Sequence, residues 1–327
     1  MSGLYPLKFK PIYLEKLWGG NRLKNLLGKD FGTLPNCGES WELSAVEGNI
    51  SEVSNGFLAG NNLAELVEIY MGDLVGDKVY KKFGIEFPLL FKYIDANDDL
   101  SVQVHPNDEL SEKRHNAYGK TEMWYVIHAE EGALINSGFN RQLTRSQYLD
   151  YLDNGKLNEI LHYDEAKPGD VFFIPAGRVH AIGKGVVLAE IQETSDVTYR
   201  IFDYNRKDAQ GNYRELHNDL AIDAIDFSYL NEYKTQYTVE KNKSSEILSC
   251  EYFTTNLLQF SEKLEKDYAK LDSFIVYMNL DGRFSIRFEE GEETIEKGET
   301  VLIPASIESY SLHPLTPEVK TLEVYIK

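Results

Sequence analysis

Short apolar runs punctuated by turn residues fill most of this chain, and one such unit occurs twice. Lys167-Pro168-Gly169-Asp170-Val171-Phe172-Phe173-Ile174-Pro175-Ala176-Gly177 is echoed by Glu296-Lys297-Gly298-Glu299-Thr300-Val301-Leu302-Ile303-Pro304-Ala305-Ser306. Each copy reads as a tight turn, an apolar strand and a Pro-Ala exit, since proline cannot donate to a strand ladder. Gly169 aligns with Gly298, Ile174 with Ile303 and Pro175 with Pro304. The separation is far longer than a solenoid repeat of about 20–50 residues, so two related β domains explain it better. The first copy runs on to His180, and the matching position in the second is Ser309. If the chain holds a metal, only the first copy is expected to hold it.

The rest of the chain agrees with a β-rich reading. Apolar runs at 89–94, 123–127, 171–174, 186–191, 274–278, 284–288 and 301–303 are bounded by Gly, Pro, Asn and Asp, the signature of short strands. The 21 Tyr and 16 Phe suit strands. Three stretches predict helix by apolar spacing: 61–83, 142–161 with a break near Asn154-Gly155, and a shorter 214–225. Strands and helices do not alternate regularly, which argues for an antiparallel sandwich or barrel over a doubly wound sheet. At 327 residues the chain has room for about two domains. No low-complexity linker separates them. A boundary near 233–242 is expected, giving 1–235 as a first domain with helical additions and 236–327 as a second, metal-free one.

The formal charge is −19, from 34 basic and 53 acidic residues. That balance excludes a general binder of nucleic acid or anionic membrane, which needs an extended basic surface. It leaves room for an anionic small molecule, because a few local Lys or Arg suffice for one phosphate. Cys37 and Cys250 are the only cysteines and no CxxC occurs, as expected for a reducing, cytoplasmic setting. Residues 1–11 carry no apolar run of signal-peptide length, and no stretch approaches a membrane span. No obligate protein partner is evident.

Four segments carry chemistry. In Ser101-Val102-Gln103-Val104-His105-Pro106, Gln103 and His105 sit two apart in an alternating run. Strand side chains alternate faces, so both project to one side at a strand that Pro106 ends. Lys120 and Glu122 likewise share a face at the start of a strand. His180 follows a strand and the turn Pro175-Ala176-Gly177. Tyr199-Arg200-Ile201-Phe202-Asp203-Tyr204 puts Arg200 and Phe202 on one face. Two His, a Glu and a Gln make an N/O ligand set without thiolate, suited to Zn²⁺, Fe²⁺ or Mn²⁺. Taken singly, each His reads more readily as a hydrogen-bonded structural residue, Lys120 as a solvated strand-end charge and Arg200 as an ion-pair partner of one of the many carboxylates. His115, His128, His162, His217 and His313 lack a partner pattern.

In chain order, these segments resemble the type I mannose-6-phosphate isomerases. The resemblance also includes Phe87-Pro88-Leu89-Leu90-Phe91-Lys92, Trp18-Gly19-Gly20 and Gly38-Glu39-Ser40-Trp41-Glu42, and runs to about Arg206. It implies a mainly β fold of two cupin-like (jelly-roll) domains with a few added helices. It implies one Zn²⁺ per chain held by Gln103, His105, Glu122 and His180, with Arg200 as the active-site arginine and Lys92 and Lys120 lining the pocket. Longer members carry a helical insertion between the Glu and the second ligand His. Here only 58 positions separate Glu122 from His180, as in the short bacterial form.

The implied reaction interconverts mannose 6-phosphate and fructose 6-phosphate through a cis-enediol. Lys120, beside a metal, is the candidate base. Arg200 suits either phosphate binding or polarisation of a sugar oxygen. Lys92 and Arg206 are further phosphate candidates. Trp18, beside two glycines, is a better sugar platform than Trp124, which is expected in the core. Gln103 is either a neutral metal ligand or a hydrogen-bond partner of a metal-bound water.

Overall fold

The computed structural model describes residues 3–208 and 210–327, and their strands form four sheets. One six-stranded sheet runs in the order Ile12–Leu14, Glu39–Leu43, Leu89–Ala96, Val186–Glu193, Glu122–Ala129, Val171–Ile174. It faces a five-stranded sheet ordered Tyr199–Phe202, Val102–Val104, His180–Ile182, Leu134–Phe139, Leu161–Glu165. Ile94, Trp124, Val126, Phe172 and Leu188 from the first sheet meet Ile135 and Ile182 from the second in one buried cluster. A second pair of sheets repeats the plan. Leu7–Lys8, Thr300–Ile303, Ile275–Asp281, Val319–Tyr325, Thr254–Phe260 and Ser244–Ser249 form its larger sheet. Leu264–Asp267, Ser309–Pro314, Phe284–Phe288 and Gly291–Ile295 form the smaller. The fold is mainly β, as the sequence predicts.

The two six-stranded sheets share a core. Phe91, Tyr93, Met123, Tyr125, Ala189 and Ile191 pack in one cluster with Leu257, Val276, Met278, Leu302, Leu322 and Val324. Alternate residues of the same strands fill the interior of each sandwich, so these strands are buried on both faces. This explains why 186–191 reads as a continuous apolar run instead of an alternating one. The N-terminal strand crosses over: Leu7 pairs with Leu302 and Lys8 with Val301.

The internal repeat extends beyond the duplicated motif. Trp124 pairs with Phe172 and Glu190, and Tyr277 pairs with Val301 and Glu323. Phe172 and Val301 occupy the same place in the repeat, so Glu190 and Glu323 are equivalent positions in the two units.

The helices depart from expectation in detail. The 61–83 stretch forms three pieces, Leu63–Tyr70, Gly72–Val75 and Asp77–Phe83. The chain turns at Met71 (φ 47°) and Gly76 (φ 94°), which lets Leu66, Val67, Leu74 and Val79 all reach the shared core. Apolar spacing survives such turns, so spacing alone does not reveal them. In 142–161 the helix is Arg145–Asp153, opened by a Thr144–Gln147 capping box and followed by a short turn of 3₁₀ helix at Leu157–Glu159. The third helix shortens to Asn218–Ala224. Two further helices go beyond the expectation: Arg22–Leu27, whose Leu23, Leu26 and Leu27 give a helical spacing only one turn long, and the highly charged Asp108–His115, which has no apolar period. Asn107 caps the latter by accepting from Leu110 N–H, directly after the Pro106 that ends the preceding strand. Among the described residues no helix is long and apolar enough to cross a membrane.

Candidate active site

At one end of the first sandwich the two sheets bring their polar residues together. Gln103 is the centre of a row across three adjacent strands, paired with His180 on one side and Arg200 on the other. His105 lies just past the end of Val102–Val104. Glu122 opens a strand of the facing sheet. Ligand atoms of His105, Glu122 and His180 all lie within 4.8 Å of one another, and all three residues are buried. Glu122 Oε2 is 3.6 Å from His105 Nε2, and Glu122 Oε1 is 3.4 Å from His180 Nε2.

The hydrogen bonds set the tautomers. His105 Nδ1 donates to the Val197 carbonyl at 2.9 Å, and His180 Nδ1 donates to the Arg178 carbonyl at 2.8 Å. Each ring therefore turns an Nε2 lone pair toward Glu122. Burial, with Lys120 close by, holds His105 well below the usual imidazole range. Burial pushes His180 down to about 3. Both rings are neutral, the form that ligates metals. His180 Nε2 and Glu122 Oε1 are buried without any hydrogen-bond partner. Orphaned polar atoms in a core cost about 1–3 kcal/mol each. Two converging lone-pair donors, each ring pinned through its other nitrogen, fit a divalent cation.

A cleft of about 250 Å³ leads to this cluster, with Trp18, Lys92, Gln103, Lys120, Glu190 and Arg200 in its wall. Lys120 joins the two: its ammonium is 3.1 Å from His105 Nε2 and donates to Glu122. Lys92 donates to Glu190 at 2.9 Å and to Gln192 at 2.6 Å, and lies 5.0 Å from the Trp41 ring. Burial would raise the Glu190 carboxyl, but Lys92 and Lys120 override it and keep it an anion. Burial and the nearby Glu190 push Glu122 up. Trp18 is buried beside the cleft. Trp124 is wholly core, though its ring stands edge-on to His180 at 5.4 Å and its Nε1 donates to Glu190. Arg206 does not reach the wall of the cleft; it binds Asp203 and the Asp99 carbonyl.

Sequence reasoning passed over Glu190 and Arg214, both in the cleft wall. Glu190 had a signal: with Gln192, two positions on, it puts polar residues on one face of a strand that is otherwise apolar up to its closing Glu193. Arg214 sits in irregular chain beyond the last motif, at the start of the 214–225 stretch expected as helix, whose apolar spacing says nothing of a cleft residue.

Paired antiparallel sheets with a His/Glu/His cluster at one mouth define a cupin, here duplicated, with a site able to hold a metal. Comparison with known proteins narrows this. Residues 7–136 match the catalytic domain of type I phosphomannose isomerase, and residues 243–315 match the mannose-6-phosphate isomerase cupin domain. Mannose-6-phosphate isomerase ManA of Bacillus subtilis is 37% identical over 94% of this chain and 95% of its own. The mannose-6-phosphate isomerase of Streptococcus mutans is 34% identical over 92% and 94%. A crystal structure of the mannose 6-phosphate isomerase from Bacillus subtilis superposes with a TM-score of 0.88 at 29% identity, covering 99% of this chain and 100% of that one. The chain belongs to the type I mannose-6-phosphate isomerase family and is an isomerase.

Proposed function

We propose that the chain interconverts mannose 6-phosphate and fructose 6-phosphate through a cis-enediol, with one zinc ion held by Gln103, His105, Glu122 and His180. The observation that carries this is the pair of buried, unpartnered ligand atoms on His180 and Glu122, at the foot of a cleft walled by cations. Gln103 sits in register beside His180 and lines the cleft, which suits a neutral fourth ligand. When bound, zinc supplies Lewis-acid polarisation of the sugar oxygens.

The chain's own residues do the rest. The reaction moves a proton between C1 and C2 of the open-chain sugar and needs a base within hydrogen-bond reach. Lys120, as the free amine that a neighbouring bound dication would favour, is that base: Nζ is buried, touches His105 and faces the cleft. Glu190 holds Lys92 in place in the cleft wall. Trp18 closes the apolar side of the cleft and excludes water. Arg200 meets the anionic end of the substrate, and Arg206 is paired with Asp203. A cytoplasmic setting, no obligate partner and no nucleic-acid or membrane ligand belong to the same reading.

A coupled assay with and without chelator tests it. Zinc-dependent formation of fructose 6-phosphate from mannose 6-phosphate is expected. Stoichiometric metal with no turnover of any hexose phosphate would overturn the proposal.

A further inference from the structure

We propose that Arg214 is a specificity-determining residue, pairing with Arg200 to grip the substrate's phosphate, with Asp203 as the residue that positions it. This deepens the isomerase reading and rests on it. Both arginines stand in the cleft wall. Arg214 is pinned on one edge: Nε donates to Asp203 Oδ2 at 2.7 Å and Nη2 to Asp203 Oδ1. Asp203 is itself buried, and its Oδ1 also accepts from Arg206 Nη2 at 2.5 Å. A planar guanidinium clamped along one edge presents its remaining N–H groups in a fixed direction, at little further entropy cost.

Arg200 is tied to the same stretch of chain. Its Nη1 donates to the Glu215 carbonyl at 2.8 Å, and its Nε is buried with no partner. Asp203 and Arg200 therefore both fix residues 214–215, the first through the Arg214 side chain and the second through the Glu215 backbone.

The pattern of ion pairs leaves Arg200 open to an anion. Around the cleft, Lys16 is matched by Glu39, Lys92 by Glu190 and Lys120 by Glu122. Arg206 and Arg214 share the carboxylate of Asp203, and Arg206 also pairs with Asp98 at 3.6 Å. Among the described residues Arg200 makes no ion pair; burial, then the charge of Arg214, lowers its hold on its proton. Arg200 is thus left without a carboxylate partner beside Arg214, in a chain whose net charge is −19. A phosphate monoester at neutral pH carries about two negative charges.

The test compares wild-type zinc enzyme with R214Q and R214K, on mannose 6-phosphate and on unphosphorylated mannose. Losing one or two charge-assisted hydrogen bonds should raise KM for mannose 6-phosphate about 10- to 100-fold in R214Q. KM for mannose should stay put, and inorganic phosphate should inhibit correspondingly more weakly. R214K, keeping charge without the fork on Asp203, should fall between. An unchanged KM for mannose 6-phosphate, or equal losses on both sugars, would overturn the proposal. Should wild type turn over no hexose phosphate, the isomerase reading falls. Calorimetric titration with inorganic phosphate then decides Arg214 separately: equal affinity in wild type and R214Q overturns its role, and weaker affinity in R214Q supports it.

Discussion

Nε2 of His180 stands 3.4 Å from Oε1 of Glu122, and neither atom has a hydrogen-bond partner. A core that tolerates two such atoms side by side is arranged for a third party. Metal binding to the folded state should stabilise it by about 4 kcal/mol when zinc exceeds its dissociation constant a thousandfold. Melting temperature should therefore rise on adding zinc to chelator-treated protein, and His180→Ala should abolish that rise together with stoichiometric zinc after dialysis. A His180→Ala protein that keeps one tightly held zinc would contradict the ligand set.

Glu193 predicts a pH effect on stability. It is buried, its Oε2 accepts from Thr121 N–H at 2.6 Å, and burial followed by the charge of Asp108 pushes its carboxyl up to about 8 from 4.5. A raised folded value means the native state holds a proton that the unfolded chain releases. Its contribution is complete below about pH 4.5 and is lost as pH climbs to 8. Each unit within that window corresponds to about 1.4 kcal/mol for a fully responding group. Glu193→Gln, which mimics the protonated form, should show a flatter fall in melting temperature than wild type between those limits. Identical slopes would refute the assignment.

How much of this was legible beforehand follows from local chemistry. Gln103, His105, Glu122 and His180 announce themselves through strand alternation and proline or glycine exits, and those signals are encoded within a few residues. The repeat reveals two β units because turn residues and apolar runs recur together. By contrast, the break at Met71 is set by how three short helices must fold back onto the shared core, which no local spacing encodes. Arg214 reaches the cleft because Asp203, eleven positions earlier, holds it there. Such a tie is long-range and leaves no period in the sequence. The crossover of Leu7 to Leu302 is longer still, and its strand spans two residues.

The equivalence of Glu190 and Glu323 allows a test within the second unit. Glu323 is buried and ion-paired with Lys266 at 2.6 Å, and accepts from Asn256 and the Tyr277 hydroxyl, each at 2.8 Å. Burial would raise its carboxyl, yet Lys266 keeps it below its ordinary value. Removing one partner strands a buried charge, at about 3–5 kcal/mol, whereas removing both spares most of that loss. Lys266→Met should therefore destabilise strongly in denaturant melts, and Lys266→Met with Glu323→Leu should recover much of the deficit. Additive losses in the double variant would show the pair is not coupled.

Leu7 ties the beginning of the chain to the second unit. It is fully buried, packs in the core shared by the two large sheets and pairs with Leu302. Leu7→Ala leaves a cavity there, and such truncations cost about 2–5 kcal/mol. Because the lost contacts lie on the edge of the Thr300–Ile303 strand, amide exchange should quicken at that strand as well as at the N-terminus. The His105, Glu122 and His180 cluster belongs to the other unit, so zinc content should not change. Quickened exchange confined to the first ten residues, with strand Thr300–Ile303 as protected as before, would show that the crossover does not hold the two units together.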